Sequence, residues 1–322
     1  MTSGLIVNPR SGKGNSQGVA LAGKLAGQDD VQIVVLDHFE DLTPALDKMA
    51  SDGVSALFIS SGDGTIQQIQ TELAERNRFA SFPDLCLLPH GTTNMTGADL
   101  GFGLKDLDEQ ARFIADANHR ADRLLKKTRA TVRVANPADG QVRHGMFVGT
   151  GAVWRGTDYC QKAVHQTGLR GDWATFATLA AAVSKAVLFG RNSTDPDRIA
   201  QAYDMKVTPD GGTTIEGGQL LFLATTLNKL ILGSRPFWGG KSNSVRASIF
   251  PYPQPNVARW LWTSMYGPED RSMPAGCHSF SSDLITIDTQ CPFVIDGEFF
   301  DPPADEPLRI EKGSDFTYLC AS

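Results

Sequence analysis

The sequence predicts a two-part protein: an α/β half built on parallel strands, followed by a mainly antiparallel β half with a helical insertion. Three observations predict it. The chain is 322 residues long, which suits about two domains. Strand-like and helix-like runs alternate through the first half, as parallel strands joined by crossover helices require. After about Arg129 the helices give way to short strands punctuated by Gly, Pro and Asp turns. The expected domains are residues 1–128 and 129–322, with the last segment free to pack back on the first.

In the first half the strand-like runs are Gly4 to Asn8, Val31 to Leu36, Ala56 to Ser60 and Leu85 to Leu88. Between them lie the helix-like runs Gln17 to Leu25, Pro44 to Ala50 and Ile66 to Glu75; in the last, Ile66, Ile69 and Leu73 recur at helical spacing. In the second half, Thr131 to Val134 and Gly145 to Val148 flank a hairpin signal at Asn136-Pro137-Ala138-Asp139-Gly140. Met205 to Thr208, Gln219 to Thr226, Val245 to Phe250, Leu284 to Asp288, Phe293 to Ile295 and Phe316 to Leu319 follow as strands. The helical insertion places Trp173, Phe176, Leu179, Val183 and Val187 on one face.

Composition excludes several functions. Hydrophobic residues at 41% supply enough apolar material for a packed core, so the chain is not disordered. A net charge of -6 leaves no basic surface for nucleic acid, although a basic pocket remains open. Five scattered cysteines without a C-x-x-C pair suggest reduced thiols rather than a disulfide framework or zinc site. No signal peptide or spanning helix is expected; the most lipid-like stretch, Trp173 to Phe189, is interrupted by Ser184 and Lys185. The expectation is cytoplasmic residence, with peripheral membrane contact open.

Three polar loops follow apolar strands, where ligands of α/β proteins bind. The first, Asn8-Pro9-Arg10-Ser11-Gly12-Lys13-Gly14, leads into a helix and suits an anion. It is neither a Walker A loop nor a dinucleotide fingerprint, since Gly12, Gly14 and Gly18 miss that spacing by one. An ordinary strand-to-helix turn is the alternative, and Lys13 is either a phosphate contact or a solvated residue. The second, Ser61-Gly62-Asp63-Gly64-Thr65, holds a carboxylate between two glycines that let a polyphosphate approach. Asp63 there would organise Mg²⁺ or accept a hydroxyl proton, or else simply cap the helix. The third, Leu88-Pro89-His90-Gly91-Thr92-Thr93-Asn94, offers hydroxyls and an amide; His90 is either a general base or structural.

In this order and at these separations, the motifs Asn8-Pro9-x-Ser11-Gly12, Ser61-Gly62-Asp63-Gly64-Thr65 and Pro89-x-Gly91-Thr92-x-Asn94 resemble the diacylglycerol kinase catalytic family. Ile295-Asp296-Gly297-Glu298 resembles that family's Asp-Gly-Glu signature. The resemblance implies a Rossmann-like α/β domain, an antiparallel β-sandwich domain and a cleft between them for ATP with Mg²⁺. It implies that Asn8 to Lys13 and Ser61, Gly62, Gly64 and Thr65 cradle the nucleotide, helped by Gly91, Thr92 and Asn94. It makes Asp63 the catalytic-loop aspartate, with Glu298 and Asp296 as carboxylates that accept the lipid hydroxyl's proton or hold Mg²⁺. The implied activity is transfer of the γ-phosphate to a lipid such as diacylglycerol or a sphingoid base.

The sequence departs from the family in three places. Ser61 replaces a glycine, Leu36-Asp37-His38 lacks a nucleotide-contacting Thr, and Gly233 to Lys241 replaces a stretch tied to a structural Mg²⁺. An NAD kinase-like enzyme shares the Gly-Asp-Gly-Thr loop, and a non-catalytic nucleotide- or lipid-binding module is a third reading. The Trp173 to Val187 face, Phe237-Trp238 and Trp260-Leu261-Trp262 would line a lipid slot, meet a bilayer, or pack in the core.

Overall fold

The computed structural model describes residues 2–11, 14–91, 95–119, 124–167, 199–239, 244–253 and 257–321. The chain divides into two compact units, Met1–Ala130 with Ser314–Ser322, and Thr131–Gly313. The predicted insertion face from Trp173 to Val187 lies outside the described residues.

The first unit is built on β1 (Thr2–Val7), β2 (Val31–Val35), β3 (Val54–Ser60) and β4 (Asp84–Leu87), all parallel in the order β2-β1-β3-β4. Three helices connect them: α1 (Ser16–Leu25), α2 (Leu42–Ser51) and α3 (Asp63–Arg76). After β4 come α4 (Met95–Leu100) and α5 (Leu107–His119), and the C-terminal strand β15 (Leu308–Cys320) adds beside β4 in parallel, Tyr318 facing Leu85.

Side-chain alternation along β1 shows why the strands are apolar throughout. Leu5 and Val7 pack with Leu21 and Leu25 of α1 and Ile114 of α5, whereas Ile6 packs with Leu46 of α2 and Ile69 and Leu73 of α3. Both faces of the sheet are therefore covered, the doubly wound arrangement that the alternation predicts. Reversal of strand order between β1 and β3 makes a switch point, and the crevice beyond their carboxyl ends is where such sheets bind ligands. The first two polar loops leave the sheet on its two sides.

In the second unit, β5 (Leu125–Val134), which begins in the first unit, forms a hairpin with β6 (Arg143–Gly145), Arg133 opposite His144. Next come β7 (Phe147–Gly151), α6 (Ala152–Thr167), β8 (Tyr203–Pro209) and β9 (Ile215–Thr225). β10 (Val245–Pro251), α7 (Val257–Tyr266), β11 (His278–Ser282), β12 (Leu284–Asp288), β13 (Phe293–Ile295) and β14 (Glu298–Phe300) complete it. Strand order runs β14-β13-β7-β9-β8-β12, with β10 and β11 branching from β9. The strand pairings among β6 to β14 that the described residues form are antiparallel. Its core includes Phe222, Ala224, Ile249, Ile285 and Phe293, all essentially inaccessible.

The single strand expected from Gly145 to Val148 is broken at Met146, between β6 and β7. The Met146 and Phe147 amides donate to the Asp296 carboxylate at 2.9 Å, and a side-chain partner of that kind interrupts a strand ladder. Helices α4 to α7 and strands β11 and β14 were not among the expected elements. Trp260 and Trp262, adjacent in the sequence pattern, separate on α7: Trp260 stacks on Phe250 with centroids 5.4 Å apart, while Trp262 is 72% exposed. Phe237 is buried. Among the described residues no helix is long and apolar enough to cross a membrane, and all five cysteines are free thiols.

Candidate active site

The first loop leaves β1 and folds onto itself. Asn8 accepts the Arg10 amide on Oδ1 at 3.0 Å and donates through Nδ2 to Thr65 Oγ1 at 3.0 Å. The Ser11 amide and hydroxyl both donate to the Asn8 carbonyl, and the Asn15 amide donates to the Pro9 carbonyl. The side chains of Asn8 and Ser11 that the motif suggested for phosphate thus go to shaping the loop, as does the Arg10 amide. Gly12 and Lys13 lie outside the described residues.

Asn15 then caps α1, accepting from the Gly18 amide at 2.8 Å. Its Nδ2 reaches across to Ser60, 2.9 Å from the carbonyl and 2.8 Å from the hydroxyl. Gly18 is pressed against this contact: a Cβ there would lie 2.1 Å from Ser60 Oγ and 2.6 Å from Asn15 Nδ2. The third glycine of the near-miss fingerprint therefore serves close packing of α1 on β3.

The second loop is a tight step from β3 into α3. Ser61 is fully buried, its hydroxyl enclosed by protein, so it does not face a ligand. Gly62 occupies the N-cap position without a side-chain cap, and Asp63 is the first helical residue. The alternative in which Asp63 simply caps the helix does not hold: the cap is Gly62, and an acidic side chain sits in the first turn, where the helix dipole favours it. The opening N–H groups of a helix lack intrahelical partners, and no side chain at the Gly62 N-cap takes up those of Gly64 and Thr65. A Cβ on Gly62 would lie 3.7 Å from that of Ser11, which places the first two loops in contact.

The third loop meets the second. Asp63 and Ile66 line a cavity of about 140 Å³ together with Pro89, Gly97, Ala98 and Phe102. Its wall is apolar except for Asp63. His90 hydrogen-bonds Ser60 Oγ through Nδ1 at 2.8 Å, and burial holds the ring's pKa below its ordinary value, partly opposed by the Gln110 side chain. Gly91 is half-buried beside it; Thr92 and Asn94 lie outside the described residues.

Asp296 and Glu298 belong to the second unit. Residues Asp296 and Gly297 form a two-residue hairpin turn between β13 and β14, both with positive φ (48° and 93°), the type I′ geometry that Asp-Gly favours. The Asp296 carboxylate accepts two hydrogen bonds from the Met146 amide and one from Phe147. Gly145 is glycine because a Cβ would lie 2.7 Å from Asp296 Oδ2 and 2.4 Å from Ile295. The structure thus gives Asp296 a role the sequence did not predict, holding β6, β7 and the turn together. Glu298 opens β14 and is exposed.

A wider depression in the second unit, about 850 Å³, is lined by residues including Trp154, Arg155, Tyr203, Lys206, Glu216 and Cys291. It contains none of the motif residues. Among the described residues no three His, Cys, Asp or Glu side chains cluster as metal ligands.

Residues 2–126 match the family model of the diacylglycerol kinase catalytic domain. Among solved structures, one titled as "a putative diacylglycerol kinase" from Bacillus anthracis str. Sterne is 18% identical, with a TM-score of 0.66, covering 99% of this chain and 97% of that one. A second, titled as a diacylglycerol kinase from the same organism, is 18% identical with a TM-score of 0.62 over the same shares. At such identity these two establish the shared fold. No curated protein matches the sequence. By the family match and the three loop motifs, residues 2–126 are a domain of the diacylglycerol kinase catalytic family.

Proposed function

We propose that the protein is an ATP-dependent lipid kinase that transfers the γ-phosphate to a hydroxyl group of a lipid such as diacylglycerol or a sphingoid base. One observation carries the reading: in a domain of this family, an uncapped helix start and the carboxylate of Asp63 share one point beside the β1/β3 switch point. Phosphoryl transfer asks a protein mainly for positioning and charge neutralisation. The N–H groups of Gly64 and Thr65 would meet phosphate oxygens, with Gly62 giving them room. The first loop, locked through Asn8 to Thr65, would act as the wall against which the phosphates rest.

Mg²⁺ fits Asp63, because this cation takes one or two carboxylates and completes its shell with phosphate oxygens and water. When bound it neutralises phosphate charge. Asp63 would hold it there or take the acceptor's proton, and the likeness of Asp296-Gly297-Glu298 to the family signature is what assigns Glu298 to the acceptor hydroxyl. Asp296 is assigned to the turn that presents Glu298.

The test is phosphorylation of a total lipid extract by the full chain with labelled ATP and Mg²⁺, alongside diacylglycerol, a sphingoid base and NAD. Label in a lipid product that disappears in Asp63→Asn supports the proposal. Label in NAD instead, or in nothing, overturns it.

A further inference from the structure

We infer that His90 is a positioning residue whose neutral imidazole ties the third loop to the end of β3 and so sets the spacing of all three loops around Asp63. The inference rests on the proposed function for its nucleotide readout.

The argument is one of donors and acceptors. Ser60 is the last residue of β3, two residues before Gly62, and is wholly inaccessible. Its oxygen already receives the Asn15 amide group at 2.8 Å, so its one proton is left for His90 Nδ1, also at 2.8 Å. The oxygen could accept twice, but its proton needs an acceptor, and among the described residues Nδ1 is the one within reach; that assigns Nδ1 as the acceptor and puts the ring proton on Nε2. On that side, Nε2 and Gln110 Oε1 are both buried and neither makes a hydrogen bond among the described residues, although the Gln110 side chain lies close enough to act on the ring. Gln110 is held in turn by its Nε2, which donates to the Leu104 carbonyl at 3.0 Å.

The chain Asn15 → Ser60 → His90 therefore runs from the first loop, through the strand that feeds the second, into the third, and stops against α5. Every link has one polarity. A proton added to Nδ1 would leave the Ser60 hydroxyl hydrogen in a dry place with nothing to meet. None of these four side chains needs to touch a ligand for the network to hold the ligand's loops in place.

The test uses calorimetric ATP·Mg²⁺ binding and steady-state kinetics on the full chain. In His90→Asn the side-chain oxygen stands where Nδ1 stood and keeps the acceptor; His90→Leu fills space and orphans the hydroxyl. His90→Leu should weaken nucleotide binding about tenfold, the usual consequence of leaving one buried hydroxyl unpaired. His90→Asn should recover all but about threefold of that. KM for ATP should rise while kcat at saturation stays within about twofold, since bound nucleotide reorders the loops. Combined with Ser60→Ala, which removes the orphan, His90→Leu should be no worse than alone.

Equal losses in the Asn and Leu variants, or additive losses in the double variant, overturn the inference and leave the ring as packing. If His90→Leu does not fold, the pair Ser60→Ala and His90→Asn decides by the same non-additivity. Wild-type chain that binds no ATP defeats the proposed function and this inference together. Wild type that binds ATP no better than His90→Leu defeats this inference alone.

Discussion

Replacing Asp296 separates its proposed architectural role from a chemical one. Its carboxylate takes three hydrogen bonds of 2.9 to 3.2 Å from two backbone amides, and its backbone sits at φ 48°. A hydrogen bond to an ionised group contributes about 1.5–3 kcal/mol, and an ordinary residue in the left-handed region costs about 1 kcal/mol more. Asp296→Ala should therefore destabilise the second unit by about 4 kcal/mol, much of the stability of a typical domain. Asp296→Asn retains a carbonyl oxygen and tolerance of that φ, so it should cost only about 1–2 kcal/mol. All five tryptophans lie in the second unit, so urea unfolding followed by tryptophan fluorescence reads it selectively. Lipid phosphorylation per folded molecule is measured in parallel and should fall less than about threefold in Asp296→Asn, far short of the 10²–10⁴ that loss of an acid–base group removes. An Asp296→Asn protein as stable as wild type but a thousandfold slower would refute the reasoning and return Asp296 to the chemistry.

Gly18→Ala should lower the stability of the first unit by about 2–4 kcal/mol, since its methyl would overlap Ser60 Oγ and displace the Asn15 cap; thermal unfolding checks this, and an unchanged midpoint contradicts it. Glu72→Gln should cost about 1.5–3 kcal/mol in the same assay, the worth of one charged hydrogen bond, because Glu72 and Arg78 have buried side chains paired at 2.6 Å while Arg78 keeps its second carboxylate, Asp47. Burial lowers the pKa of His90 from its ordinary 6.5, so the unfolded chain binds the extra proton first; stability should fall as pH drops through 6.5, by at most about 1.4 kcal/mol per pH unit, with a shallower slope in His90→Asn.

The four parallel strands and helices α1 to α3 of the first half were legible because the strands are apolar on both faces of a buried sheet and the helices carry a periodic apolar face, whereas α4 and α5 were not expected. All three loops fall where that pattern places them, directly after β1, β3 and β4. Roles within the loops were less legible. Asn8 and Ser11 look like ligand-binding groups in sequence, since a motif records residue types and not whom they bond. In the fold the Asn8 side chain bonds the Arg10 amide and Thr65, and the Ser11 hydroxyl bonds the Asn8 carbonyl. Asn15, Ser60 and Gln110 carried no signal at all, because the network joining them spans contacts 20 to 45 positions apart in the chain. Asp296-Gly297 did carry one that was passed over: Asp-Gly between apolar runs is a hairpin signature before it is a catalytic one. Helix α7 was missed because Trp260 and Trp262 were taken as an aromatic cluster, and the helical face emerges only when one is buried and the other exposed.

What the loops leave unsatisfied says how the site must be filled. Among the described residues, Asn8 and Ser11 of the first loop and His90 of the third spend their side-chain hydrogen bonds on Thr65, the Asn8 carbonyl and Ser60, while no side chain caps the helix that the second loop opens. The first N–H groups of that helix carry partial positive charge, but the carboxylate of Asp63 stands in the same first turn. A bare polyphosphate would be drawn by the helix and repelled by Asp63, and two unit charges about 4 Å apart near a protein surface interact by up to about 4 kcal/mol. A divalent cation carried with the nucleotide reverses the sign of that second contribution. Asp63→Asn should therefore change the two ligands in opposite directions. Binding of ATP in excess chelator should tighten, by about fivefold if a quarter of the limiting energy is realised, while binding of ATP with Mg²⁺ weakens by a similar factor and turnover is lost. Calorimetry with and without Mg²⁺ measures both on one protein. A uniform loss in the two titrations would mean that Asp63 merely shapes the loop, and the cation would then need another home.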